Sequence, residues 1–100
     1  MNNEQLCSYL KANCLGKEQA TGGRELARLC TVSENELRRR VNRLRREGEP
    51  IASDRTGYFY ARTAGDVYAT IRTLRKMADG LKAAIHGLEH ALDRFGGEEL

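Results

Sequence analysis

Apolar residues recur with helical spacing three times, give way to an extended pattern, and return to helical spacing in the C-terminal third of the chain. Leu6, Cys7, Leu10 and Cys14, with Tyr9 beside them, predict a first helix over Asn3–Cys14, stopped by Gly16. Lys17–Thr21 reads as a connector with room for one or two residues of strand. A second, short helix starts at Gly22-Gly23, with Gly22 in the capping slot and Glu25 following it. Its apolar side is Leu26, Ala27, Leu29 and Cys30. After a tight turn at Thr31-Val32, Ser33 and Glu36 have the spacing of a capping box, and a third helix follows from Glu34 to about Glu47. Leu37, Val41 and Leu44 give that helix one narrow inward stripe, and Gly48 and Pro50 end it.

Ile51-Ala52-Ser53, the turn Asp54-Arg55-Thr56-Gly57 and Tyr58-Phe59-Tyr60-Ala61 predict a β-hairpin, with Phe59 packed inward and Tyr58 and Tyr60 on the opposite side. Thr63 then caps a long helix, with Asp66 at its first turn, that runs from Ala64 to about Phe95. Within it Val67, Ile71, Leu74, Ala78, Leu81, Ile85, Leu88, Leu92 and Phe95 alternate spacings of 4 and 3 without a break. That is a heptad seam, with Leu at most d positions. The reading divides the chain into residues 1–62, a heptad helix over 63–95, and a flexible tail at 96–100.

Composition adds a soluble, single-domain size class: 100 residues, 31% charged, 40% apolar, with mean hydropathy −0.63. No apolar run approaches the ~20 residues of a membrane span. Met1-Asn2-Asn3-Glu4-Gln5 has neither a basic start nor an apolar stretch, so a cytoplasmic location is expected. Cys7, Cys14 and Cys30 are an odd set without a CxxC, and core packing is their expected role. The net charge of +3 is unevenly spread. Arg24 to Arg62 holds ten basic and six acidic residues, the first 23 residues are neutral, and 63–100 is net −1. A basic stripe confined to the middle of a chain is the electrostatic footprint of a nucleic-acid binder.

The order helix, helix, tight turn, helix, hairpin, carried by Gly22–Ser33 and Val41–Gly48, resembles the DNA-binding domain of biotin-operon-repressor-type bacterial regulators. The resemblance covers residues 3–62 and implies a winged helix-turn-helix: an α+β, mainly helical fold of three helices and a two-stranded wing. To it this chain adds a long C-terminal dimerisation helix. The implied function is sequence-specific binding of double-stranded DNA by a homodimer, as a transcriptional regulator of bacterial or phage origin. The chain carries no ligase or sensor domain such as those regulators often have, so no small-molecule ligand is expected.

Arg38, Arg39, Arg40, Arg43, Arg45 and Arg46 put six guanidiniums into nine residues of the third helix. The guanidinium fork fits guanine O6 and N7 or a phosphate, and Asn pairs in a similar way with adenine. The resemblance places this helix in the major groove. It assigns Asn35, Arg38, Arg39 and Asn42 to base edges or nearby backbone, and Arg43 and Arg46 to phosphates. Arg55 at the hairpin tip and Arg62 after it are further phosphate candidates.

A helix of ~30 residues is ~45 Å long. Its first turns, with Val67, Tyr68 and Ile71, are expected to pack on the winged core. Leu74, Ala78, Leu81, Ile85, Leu88 and Leu92 then need another chain to cover them, in parallel or antiparallel orientation. His86 and His90 have an i, i+4 spacing but no third metal ligand in view. No nucleophile–base set, phosphate loop or carboxylate pair appears, so neither an enzyme nor a cofactor is expected. The contrasting function is a protein–protein adaptor that uses the same fold and the long helix for docking. RNA binding is disfavoured because a four-stranded stacking platform is lacking.

Overall fold

The computed structural model describes residues 1–96. It is mainly helical, with a small two-stranded antiparallel sheet and a long C-terminal helix. The elements are α1 (Asn3–Asn13), a 3-10 turn (Lys17–Gln19), α2 (Gly23–Cys30), α3 (Glu34–Arg46), β1 (Ile51–Asp54), β2 (Gly57–Tyr60), α4 (Ala64–Ala91) and a closing 3-10 turn (Leu92–Phe95). The chain divides into two compact units, Met1–Thr70 and a second from Ile71 onward, so the first unit takes in the start of α4. Of the expected tail at 96–100, Gly96 ends the closing turn in the left-handed region, and 97–100 lie outside the described residues. Among the described residues, no helix is long and apolar enough to cross a membrane.

Side-chain caps start α1, α3 and α4, whereas α2 starts at Gly22 with no side-chain capping bond. Asn2 and Gln5 form a reciprocal capping box, Asn2 Oδ1 accepting from Gln5 N at 2.7 Å and Gln5 Oε1 from Asn2 N at 2.9 Å. Ser33 Oγ accepts from Glu36 N at 3.1 Å, which is half of the expected box. The Glu36 carboxylate turns instead to Arg39 and Arg40. Thr31, the one non-glycine residue with positive φ among those described, makes the sharp exit from α2. At α4, Asp66 N donates to Thr63 Oγ1 at 3.2 Å, and the Asp66 carboxylate accepts from Arg62 N.

One core holds the unit together. Leu6, Leu10 and Cys14 come from α1 and its cap, and Leu26, Ala27 and Cys30 from α2. Leu37, Val41 and Leu44 come from α3, and Ile51, Ala52 and Phe59 from the hairpin. Leu29, expected on the apolar side of α2, is 46% exposed. At ~100° per residue it stands ~60° from Leu26 but ~160° from Ala27 and ~100° from Cys30, and an eight-residue helix buries only a narrow stripe. All three cysteines are free; Cys14 and Cys30 are buried and Cys7 half-buried. Burial, followed by the charge of Glu49, pushes the Cys7 thiol above its ordinary range.

The hairpin register pairs Ile51 with Tyr60, Ala52 with Phe59, Ser53 with Tyr58 and Asp54 with Gly57. The other edge of β2 is also covered. Tyr60 N donates to Cys14 O at 2.7 Å and Tyr60 O accepts from Gly16 N at 2.9 Å, while Thr21 and Tyr58 exchange both backbone bonds. The connector therefore lends bridging residues at Leu15 and Thr21 around its 3-10 turn. Gly57 cannot be replaced cheaply at this junction: its φ is +134° and a Cβ would come within 2.1 Å of Thr21 O. Thr70 closes the unit, its Oγ1 accepting from Ser53 N and donating to Asp66 O, both at 3.2 Å.

Candidate nucleic-acid interface

With Leu37, Val41 and Leu44 buried, α3 has a fixed outer surface. Stepping ~100° per residue from those anchors, Asn35, Arg39, Asn42 and Arg46 form a row along the opposite side. Arg38 stands on one flank of this row and Arg43 on the other. Arg38, Arg39, Arg43 and Arg46 are exposed, and the Arg39 side chain keeps 75% of its accessible surface. Acidic residues gather in the first turn of α3 and basic residues in the last, an order that suits the helix dipole.

The sequence reading leaves Arg40 and Arg45 without a DNA contact, and the structure gives each a place within the fold. Arg45 is not part of the outer surface. Its Nε donates to Ile51 O at 2.8 Å, Nη1 to Asn42 Oδ1 at 3.2 Å and Nη2 to Ser53 Oγ at 3.1 Å, so it clamps α3 to β1. Partial burial pulls its pKa below the ordinary guanidinium value, though such a group stays charged. Arg40 is half-buried and donates to the Met1 carbonyl. Asn42 keeps its place in the row but is half-buried, with one carbonyl lone pair given to Arg45. Its amide N–H groups remain available for a base edge.

The exposed arginines are held loosely. Arg38 Nη1 donates to Asn35 Oδ1 at 2.9 Å, Arg39 pairs with Glu36 at 3.1 Å, and Arg43 pairs with Glu47 at 3.6 Å. Surface pairs of this kind contribute ~0–1 kcal/mol, so a phosphate can displace them readily. Among the described residues, Arg46 makes no ion pair or side-chain hydrogen bond. An open groove between the start of α1 and α3 is lined by Asn2, Asn3, Glu36, Arg39, Arg40, Arg43 and Arg46.

At the hairpin tip, Asp54 Oδ1 accepts from Thr56 N at 2.8 Å and from the Thr56 hydroxyl. That leaves Arg55 exposed at the apex. The Thr56 hydroxyl and backbone bonds, helped by Lys17 at 3.8 Å, hold the Asp54 carboxyl below its usual pKa. Arg62 lies with its stem against the bare Cα of Gly16. Tyr58 and Tyr60 are half-buried, and Tyr60 Oη donates to Glu49 at 3.1 Å, with Lys11 over its ring. Both are therefore packing residues of the hairpin.

Two exposed arginines escaped the sequence reading. Arg24 and Arg28 stand one turn apart on the outer side of α2, and among the described residues neither forms an ion pair. Their i, i+4 spacing was the available signal.

On α4, Tyr68, expected to pack, is 65% exposed, while Val67 and Ile71 are half-buried. Leu74, Ala78, Leu81, Ile85, Leu88 and Leu92 are all exposed, Leu88 at 71%. His86 Nδ1 is 3.8 Å from Glu89 Oε1. Among the described residues, no group of three His, Cys, Asp or Glu side chains could hold a metal ion. No protein-family model, curated protein or solved structure matches the chain.

Proposed function

We propose that the first unit is a winged helix-turn-helix that binds double-stranded DNA, and that the chain works as a homodimer joined through α4. In this reading α3 is the recognition helix, the β1–β2 hairpin is the wing, and α2 crosses the backbone beside them. The observation that carries the reading is the outer row of Asn35, Arg39, Asn42 and Arg46, three of them exposed, flanked by the exposed Arg38 and Arg43 on a helix whose inner side is fully anchored. Asn35, Arg38, Arg39 and Asn42 address base edges or nearby backbone. Arg43, Arg46 and Arg55 take phosphates, and Arg24 and Arg28 join them as backbone contacts from α2.

Fluorescence anisotropy with a random duplex tests this directly. Log affinity should fall linearly with log salt, by about 0.9 for each phosphate neutralised. The double variant Arg39→Ala, Asn42→Ala should lose binding while its far-UV circular dichroism stays that of the parent. Binding that ignores both salt and this variant would leave the adaptor reading in its place.

A further inference from the structure

The exposed row on α4 carries information about its partner. In heptad lettering Leu74, Leu81, Leu88 and Phe95 are d positions, and Ile71, Ala78, Ile85 and Leu92 are a positions. The e flank holds Arg75, Lys82 and Glu89, and the g flank Met77, Ala84 and Ala91. All the charge bordering the seam over these heptads is therefore on one side. In a parallel, in-register pair each e position faces the partner's g position. Lys82 would then meet Met77 and Glu89 would meet Ala84, and Ala78 would face its own copy across an underfilled layer. An antiparallel pair faces e with e and g with g, and each a position with a d position.

We propose that α4 pairs antiparallel with a second copy of this chain, with the two-fold axis passing between His86 and Gly87. This deepens the pairing half of the proposed function and rests on it. In that register Lys82 of each chain faces Glu89 of the other, and the symmetry makes the contact twice. Ile85 packs on Leu88, and Leu81 on Leu92, the residue at which α4 passes into the closing 3-10 turn. Ala84 opposes Ala91, allowing the g flanks to approach closely. Sliding the pair by one heptad brings Glu89 against Glu89 in one direction; in the other Arg75 meets Glu89 but Lys82 meets Lys82. Of these three registers, only the proposed one makes its two attractions without a like-charge contact.

Analytical ultracentrifugation of the full chain tests the assignment through charge reversal. Lys82→Glu or Glu89→Lys alone turns two attractions into two repulsions and should weaken the dimer roughly tenfold. The double variant Lys82→Glu, Glu89→Lys should return to within about twofold of the parent. An equimolar mixture of the two single variants should associate better than either alone. A stable parent dimer whose single reversals change nothing, or whose double reversal is no better than the singles, overturns the antiparallel register and leaves pairing itself intact. A parent chain that stays monomeric at micromolar concentration overturns the pairing reading and the register together.

Discussion

α3 and the part of α4 beyond Thr70 begin from the same kind of pattern, aliphatic residues returning every three or four positions, yet they end in opposite states. Leu37, Val41 and Leu44 are buried by α1, α2 and the hairpin. Leu81, Ile85 and Leu88 remain more than half exposed. Periodicity states that a helix has a face to cover; it does not state which chain supplies the cover. Where the cover is internal, the polar side of the helix becomes the free surface, and on α3 that side is cationic. Where it is not, the apolar face is itself the free surface. A contiguous apolar surface of this kind marks an interaction site in most proteins.

The strongest way to break this comparison is to truncate one leucine from each row. Leu37→Ala should cost the folded chain ~2–5 kcal/mol in chemical denaturation, because it leaves a cavity in a closed core. Leu88→Ala should leave the unfolding of the first unit unchanged and act only on association, read by sedimentation. Equal losses of stability would mean that the two rows are buried alike in solution.

A finer contrast lies within α3. Arg45→Ala removes three hydrogen bonds of a partly buried guanidinium and should destabilise by ~1.5–3 kcal/mol. Its neighbour Arg46→Ala should shift stability by less than ~0.5 kcal/mol. It should instead reduce the salt slope of duplex binding by about 1. If Arg46 behaved like Arg45, the division of this helix into a clamp and a reading surface would be lost.

The smallest effect is one of pH. The Asp54 carboxyl is held down by Thr56 and Lys17, so its folded pKa lies below its unfolded value. Its contribution is present above the unfolded pKa and disappears as pH falls through the folded one. The hairpin turn should therefore loosen in acid below the usual carboxylate range, seen as faster amide exchange at Thr56 and Gly57. Asp54→Asn should remove most of that dependence.

The element order was readable from the sequence because each element is set by local chemistry. Leu37, Val41 and Leu44 specify one stripe, Ser33 supplies a cap, Gly48 and Pro50 end the helix, and Asp54 to Gly57 make a turn of few residues. The capping box of Asn2 and Gln5 was equally local, although it lacks the more familiar Ser and Glu. The charge of the α3 outer face also followed from spacing alone, since six arginines cannot all fit beside three buried anchors.

Tertiary structure decided the rest. Adjacent arginines differ by only ~100° around a helix, and long side chains can reach acceptors well away from their own Cα. The carbonyl of Ile51 and the hydroxyl of Ser53 claim Arg45, while the carbonyl of Met1 claims Arg40. Leu29 and Tyr68 come out exposed because burial depends on what stands opposite a residue. The packed core leaves no other element over those positions. Hydrophobic spacing is a property of the local chain; covering surfaces and hydrogen-bond acceptors come from residues distant in sequence, and only folding brings them together.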